Sequence, residues 1–110
     1  MAFTEDGINL MLEAIRTGGV KMGLTNAADT ELSGGDPAYA RKDITWAAAS
    51  GKAMALNGTL PTFDCPAGAE VRKVIICASG GTIYTRSATT EEDFTAQGTY
   101  TITSGTLSGA

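Results

Sequence analysis

The stretch that decides the fold is Val71-Arg72-Lys73-Val74-Ile75-Ile76-Cys77-Ala78, which is apolar on both faces at its centre. A strand with this pattern is buried on both sides, so residues 71–78 are predicted to form the central strand of a sheet. Turn residues flank it, with Pro-Ala-Gly at 66–68 and Ser-Gly-Gly at 79–81. A further strand is predicted over residues 82–87, with Ile83 facing inward.

Period-two alternation of apolar and polar residues continues on both sides of this segment. It predicts strands over residues 20–25, 44–48, 54–57 and 59–65, a strand that starts at Phe94, and a last strand containing Tyr100 and Ile102. Asn57-Gly58 is the strongest hairpin signal in the chain. The pattern predicts a mainly β fold of roughly seven or eight short antiparallel strands, arranged as a β-sandwich or jelly-roll-like domain over residues 20–108.

The region before these strands has the period of an α-helix. Its apolar residues recur at helical spacing and form one stripe: Ile8, Met11, Leu12 and Ile15. Thr4 is a suitable N-cap, and Phe3 directly before it could pack on Ile8 as a hydrophobic staple. Gly18-Gly19 supplies the stop. We therefore predict one N-terminal helix over residues 4–17, whose stripe needs the sheet or a neighbouring subunit to cover it.

Composition places the chain among small folded domains. Its 110 residues, 43% hydrophobic and 18% charged, fit a single domain over residues 1–110. The net charge of −4 and the absence of a basic run argue against a nucleic-acid partner. No apolar stretch approaches the roughly 20 residues that span a bilayer, and the N-terminus has no basic region of a signal peptide. We therefore expect folding in a cytoplasm and no membrane partner.

Cys65 and Cys77 lie in or beside predicted strands. In a reducing cytoplasm, free cysteines of this kind are usually small buried hydrophobic residues. A disulfide between the two needs a geometry that the sequence alone does not specify, so the alternative stays open.

Residue types that carry catalysis are scarce in the chain. It contains no histidine, which removes the commonest general base and the usual nucleophile pairs. Glu91-Glu92-Asp93 is the densest acidic cluster, and it is predicted to be a solvated loop rather than the site of a hydrolase. The segment 29–36 has alternating oxygen ligands but no closing acid for calcium. We expect no catalytic residue, no metal site and no cofactor.

The sequence offers a short set of candidate contact residues. Tyrosine and arginine are enriched at protein interfaces, and two such pairs lie in or before predicted strands: Tyr39 with Arg41, and Tyr84 with Arg86. Ordinary surface positions are an equally good interpretation of both pairs. Phe3 completes the set of candidate interface residues. Trp46 could stack on a ligand, but its alternation with Ile44 and Ala48 favours a core position.

Several segments, in order, are similar to those of one family of proteins. They are the opening FTEDGINLMLEAI followed by VKMGLTNA, then ELSGGDPAYARKDITW, FDCPAGAEVRKVIICA, GGTIY and FTAQGTYTITSGTL. Together they span nearly the whole chain. In this order they resemble small virion proteins of tailed bacteriophages, particularly phages of actinobacteria.

The resemblance implies a structural part of a virus particle, assembled in the cytoplasm of the host bacterium. It implies a capsid decoration (cement) protein that binds the head lattice as a homo-oligomer, with a trimer favoured. The expected partners are the major capsid or tail proteins of the same virion. Two alternatives remain: a minor tail or tail-tip protein, and a carbohydrate-binding β-sandwich. The expectation for enzyme activity is none.

Overall fold

The computed structural model describes residues 4–18 and 20–108. These residues form one helix and nine strands, and their bounds are α1 (Glu5–Gly18), β1 (Lys21–Thr25), β2 (Lys42–Asp43), β3 (Thr45–Trp46), β4 (Ala53–Asn57), β5 (Thr62–Cys65), β6 (Glu70–Cys77), β7 (Ile83–Asp93), β8 (Gly98–Thr101) and β9 (Thr106–Ser108). The predicted class, mainly β with one N-terminal helix and antiparallel sheets, is confirmed. The strand number is slightly higher than the seven or eight expected.

The largest sheet has the order β2-β1-β6-β7, and all its pairings are antiparallel. β6 lies in its interior, where Ile75 is opposite Gly23 of β1 on one side and Arg86 of β7 on the other. The prediction that residues 71–78 form a central strand is therefore confirmed. The turn at residues 79–81 joins β6 to β7, and across it the Ala78 N–H donates to the Thr82 carbonyl at 2.8 Å.

Two smaller sheets complete the β structure of the described residues. One has the order β3-β4-β9, with Met54 opposite Leu107, and the other pairs β5 with β8, with Phe63 opposite Tyr100. Both sheets contain a pairing between strands far apart in sequence. A turn signal in the sequence cannot specify such a pairing, because it acts only between neighbouring segments.

The predicted Asn57-Gly58 hairpin is wrong. β4, which ends at Asn57, pairs with β3 and β9, while β5 pairs with β8. Gly58 does adopt the left-handed conformation, with φ of 69°, but the turn carries the chain out of one sheet and into another. The hairpin of this region joins β3 to β4, and its turn is closed by reciprocal backbone hydrogen bonds between Ser50 and Ala53 at 2.8 and 3.1 Å.

The prediction that residues 91–93 form a loop is also wrong, because these residues belong to β7. The register between β6 and β7 shifts there. Val71 is opposite Glu92 and Lys73 is opposite Ala88, so three residues of β7 face Arg72 alone. Because of this bulge, the sequence of β7 lacks the regular period-two alternation from which a strand is predicted. The next strand, β8, starts at Gly98 rather than at Phe94.

Helix α1 lies close to the predicted span. The Thr4 hydroxyl caps it by accepting from the Gly7 N–H at 3.1 Å. Its side chains also tie it to the β3–β4 hairpin: Glu13 accepts from the Ala49 N–H at 2.8 Å, and Asn9 accepts from the Lys52 N–H at 3.0 Å. The staple predicted for Phe3 lies outside the described residues.

The apolar core occupies both faces of β6. The main cluster joins helix α1 to all three sheets and includes Ile8, Leu12, Met22, Leu24, Ile44, Trp46, Met54, Phe63 and Val71. Ile75 and Cys77 are also fully buried but lie outside that cluster. Gly23, opposite Ile75, contacts Tyr39 and Glu31, so residues 26–41 cover this second face. Cys65 and Cys77 are free thiols at 0% exposure, which confirms the small-hydrophobic interpretation.

Candidate functional site

Tyr39 and Arg41, predicted as a contact pair, converge on Glu31 within the chain. The Glu31 carboxylate accepts from the Tyr39 hydroxyl at 2.7 Å and from Arg41 Nε and Nη2 at 2.9 and 2.8 Å. Tyr39 also accepts from the Leu24 N–H at 2.8 Å, and its ring stacks on Phe63 with centroids 6.1 Å apart. We call Glu31, Tyr39 and Arg41 the Glu31 cluster. Their hydrogen bonds hold the loop of residues 26–41 against the sheet.

The cluster fits against the sheet because β1 has no side chain at residue 23. A Cβ built on Gly23 would lie 2.7 Å from the Tyr39 hydroxyl and 2.9 Å from Glu31 Oε2. A real Cβ does not tolerate such distances. Gly23 is therefore required for close approach of the loop, a requirement that the strand pattern of residues 20–25 did not reveal.

Burial and pairing set the charges in the cluster. The hydrogen bond to Arg41 holds the pKa of Glu31 below its usual range, and the same bond raises the pKa of Arg41. Burial raises the pKa of Tyr39 well above its ordinary value, so the hydroxyl stays protonated and donates. Burial also raises the pKa of the Cys77 thiol, which keeps it neutral beneath the cluster.

A second set of ion pairs holds the beginning of the same loop. Asp29 Oδ1 lies 2.7 Å from Lys73 Nζ and 3.9 Å from Arg86 Nε. The carboxylates of the weak calcium pattern, Asp29 and Glu31, thus face Lys73 and Arg41. Among residues 4–18 and 20–108, no group of three or more His, Cys, Asp or Glu side chains is placed to hold a metal ion.

The acidic cluster on β7 is arranged around one arginine. Arg72 lies 2.7 Å from Asp93 and 3.7 Å from Glu91, and it reaches Glu70 at 3.2 Å. Its guanidinium bridges β6 to the bulged end of β7, which gives these acids a structural role. The side chains of Glu70, Glu91 and Asp93 remain 63–70% exposed.

Tyr84, at the start of β7, is not part of the Glu31 cluster. It is 46% exposed, and its ring lies beside the end of helix α1, where a Cβ on Gly18 would be 3.0 Å from the hydroxyl oxygen. Arg86 Nε lies 3.9 Å from Asp29 Oδ1, at the beginning of the loop that contains the Glu31 cluster. The structure describes four of the candidate residues. Tyr39 and Arg41 are held by hydrogen bonds to Glu31, whereas Tyr84 and Arg86 are more exposed.

The exposed large apolar side chains among the described residues lie on helix α1 and on the strand beside its end. They are Leu10 at 72%, Met11 at 41% and Tyr84 at 46% exposure. Leu10 and Met11 are on helix α1, and Tyr84 is on the strand beside its end; we call the three residues the helix-edge surface. An apolar groove of about 240 Å³, lined by helix residues including Met11, by Thr85 and by Leu107, adjoins it.

Sequence reasoning identified Tyr84 but missed the two helix residues. Met11 belongs to the predicted stripe, yet only Ile8 and Leu12 of that stripe are fully buried. Leu10 was not considered, although its position off the stripe was a usable signal: a leucine on the outer face of an amphipathic helix has no core to enter. The structure therefore moves the best contact candidates to the helix.

No helix among the described residues is long and apolar enough to cross a membrane. Trp46, the residue considered for ligand stacking, is 6% exposed and belongs to the main core, as the alternation predicted. No protein-family model, curated protein or solved structure matches the chain.

Proposed function

We propose that this chain is a structural protein of tailed bacteriophage virions, a capsid decoration protein that binds the head lattice as a homo-oligomer, with a trimer favoured. It assembles in the host cytoplasm and functions in the virion without catalysing a reaction. The resemblance over nearly the whole chain supports this role. The observation that carries it in the structure is the helix-edge surface, since the exposed large apolar residues among the described residues lie on helix α1 and beside its end.

The helix-edge surface is suited to binding through surface complementarity, because its helix is already ordered. Leu10 and Met11 lie on a helix that is capped at Thr4 and tied to the β3–β4 hairpin, so little order is gained on binding. Burying one exposed leucine stabilises a contact by about 1.5–3 kcal/mol, which is weak for a single copy. Used between copies of this chain, the surface would assemble a homo-oligomer, and the copies of one oligomer bind a repeating lattice together with high avidity.

A minor tail or tail-tip protein is the alternative that the same surface would serve. The two differ in copy number, since a head lattice offers many equivalent sites and a tail tip offers few. The carbohydrate-binding alternative was suggested by Trp46 and the tyrosines, and the burial of Trp46 in the core removes that residue as a stacking platform. A hydrolase built on residues 91–93 would need Glu91 and Asp93, which instead form ion pairs with Arg72.

Quantitative mass spectrometry of purified particles of the phage that encodes the chain tests this proposal. Hundreds of copies per particle would support capsid decoration, and a handful would support the tail alternative. Absence of the chain from particles would contradict both. A matched comparison with a known non-structural protein of the same phage controls for carry-over from the host lysate.

A further inference from the structure

The loop of residues 26–41, which we call the 26–41 loop, joins β1 to β2 and lies over one face of the four-stranded sheet. Beneath it, Ile75 and Cys77 are both 0% exposed. A Cβ built on Gly23 would lie 2.7 Å from the Tyr39 hydroxyl and 3.1 Å from Ile75, so the loop and the sheet are in direct contact. None of residues 26–41 is itself buried. The loop therefore covers a buried face without contributing a buried residue of its own.

Cys77 lies under the part of the loop that reaches the β6–β7 turn. Arg41 extends from Glu31 at 2.8 Å to the Gly81 carbonyl at 3.3 Å. Cys77 is the last residue of β6, just before that turn, and its Sγ lies 3.7 Å from the Lys21 carbonyl of β1. The charges of Arg41 and Glu31 both act on the pKa of the Cys77 thiol, as expected of groups that face it. The Glu31 cluster is therefore the cover of Cys77 on this face.

Polar contacts attach the loop at each end of this cluster. At its beginning, Asp29 forms an ion pair with Lys73 at 2.7 Å. At its tip, the Gln97 side chain accepts from the Asp36 N–H at 3.2 Å and donates to the Pro37 carbonyl at 3.1 Å. Exposed ion pairs and hydrogen bonds of this kind stabilise a contact only weakly, because water competes for the same groups. The attachment of the loop is therefore weaker than the packing of the core.

The loop can leave the sheet without breaking a strand pairing. β1 pairs with β6 through all of its residues and with β2 at Lys21 and Met22, and the 26–41 loop lies outside these pairings. A backbone hydrogen bond from the Leu32 N–H to the Leu24 carbonyl, 3.1 Å long, links the loop to β1. Segments with few buried contacts open at a lower free energy than the whole fold, and an opened loop regains conformational entropy.

We propose that the 26–41 loop opens from the four-stranded sheet as one unit while the strands stay paired, and that this opening exposes Cys77. The proposal goes beyond the virion role, because it assigns the chain a second, minor conformation in its native state. Cys65 is an internal reference, since it is 0% exposed and belongs to the main core cluster. The charges that act on its pKa are those of Glu92 and Asp64, which lie outside the loop.

Thiol labelling of the full chain with iodoacetamide at neutral pH tests the proposal. Trypsin cleaves after Arg72 and Lys73, so the two cysteines lie on separate peptides and mass spectrometry measures each labelling rate. We expect Cys77 to react about tenfold faster than Cys65 or more, because local opening precedes global unfolding. At low urea concentration the Cys77 rate should hardly change, since local opening exposes little surface, while the Cys65 rate should rise steeply.

A pair of variants separates opening of the loop from unfolding of the whole chain. Glu31→Gln should raise the Cys77 rate about fivefold to thirtyfold, because Arg41 loses the carboxylate that holds the loop closed. Tyr100→Phe is the control, since it removes a 2.6 Å hydrogen bond to the Thr90 carbonyl, outside the loop. It should raise the Cys65 rate and leave the Cys77 rate unchanged.

Three results would overturn the proposal. The first is a Cys77 rate no faster than that of Cys65, or one with the same urea dependence. The second is an unchanged Cys77 rate in Glu31→Gln, and the third is a Cys77 rate that rises in Tyr100→Phe as much as the Cys65 rate. None of these results bears on whether the chain is found in particles, so this proposal and the virion role fail separately.

Discussion

At the scale of single residues, Glu31 joins three parts of the chain. Its carboxylate receives hydrogen bonds from Tyr39 and Arg41, and Arg41 in turn donates to the Gly81 carbonyl in the β6–β7 turn at 3.3 Å. These bonds hold the loop that covers Ile75 and Cys77. Through these hydrogen bonds, a single carboxylate holds a polar loop over an apolar face of the sheet.

We predict that Glu31→Gln lowers the free energy of unfolding by about 1–2 kcal/mol, since it leaves the half-buried Arg41 without a counter-charge. Urea denaturation measures the change as a shift of the midpoint at constant slope. Glu91→Gln is the control: Glu91 is 70% exposed and 3.7 Å from Arg72, so its loss should cost less than about 0.5 kcal/mol. Equal effects of the two variants would contradict the role given to Glu31.

The same prediction has a pH dependence with a definite sign. Because the pKa of Glu31 is lowered in the folded protein, its contribution is present above the unfolded pKa of about 4.3 and is lost as pH falls through the folded value. The stability difference between the wild type and Glu31→Gln should therefore shrink as the pH falls below about 4.3 and through the lowered pKa of Glu31. A constant difference over that window would show that the carboxylate does not act through its charge.

At the scale of elements, β7 is the strand whose shape depends on a distant side chain. Tyr100 of β8 is 6% exposed, and its hydroxyl donates to the Thr90 carbonyl at 2.6 Å while pairing with the Thr89 hydroxyl at 2.9 Å. Both partners lie in the bulge that faces Arg72. The two-stranded sheet thus fixes the irregular end of the four-stranded sheet.

We predict that Tyr100→Phe destabilises the protein by about 1–3 kcal/mol, because it leaves the Thr90 carbonyl without its donor. Hydrogen exchange should show faster exchange at residues 89–93 than in the rest of β7, and urea denaturation gives the free energy. Tyr84→Phe is the matched control, since the Tyr84 ring is 46% exposed at the surface. The bulge assignment would be wrong if exchange at residues 89–93 were unchanged in Tyr100→Phe.

At the scale of the whole molecule, the helix-edge surface is a candidate contact surface. It presents Leu10, Met11 and Tyr84, which are 41–72% exposed. We assign self-association to this surface, because a helix face can meet its own copy around a symmetry axis.

We predict that Leu10→Glu converts the proposed homo-oligomer to monomers, which sedimentation velocity measures directly. The fold should be unchanged by circular dichroism, because Leu10 is 72% exposed. Thr103→Glu adds the same charge at another exposed position and should leave the oligomer intact. A wild-type chain that sediments as a monomer, or an oligomer that persists in Leu10→Glu, would contradict this assignment.

Local patterns determined much of this protein. The two-faced apolar run at residues 71–78 predicted a central strand, the stripe around Ile8 and Leu12 predicted the helix, and both predictions are confirmed. The position of Trp46 in the core also followed from its alternation. These features depend on period and burial, which neighbouring residues specify by themselves.

Only the tertiary structure decided which strands pair and which side chains meet. Asn57-Gly58 makes a turn, yet β5 pairs with β8, because the turn sets local direction while sheet pairing depends on packing between distant segments. Tyr39 and Arg41 were candidate contact residues, with ordinary surface positions an equally good interpretation. The structure brings them to Glu31, since only the folded loop places that carboxylate beside them. Likewise, the exposure of Leu10 is decided only once the helix and sheets have packed.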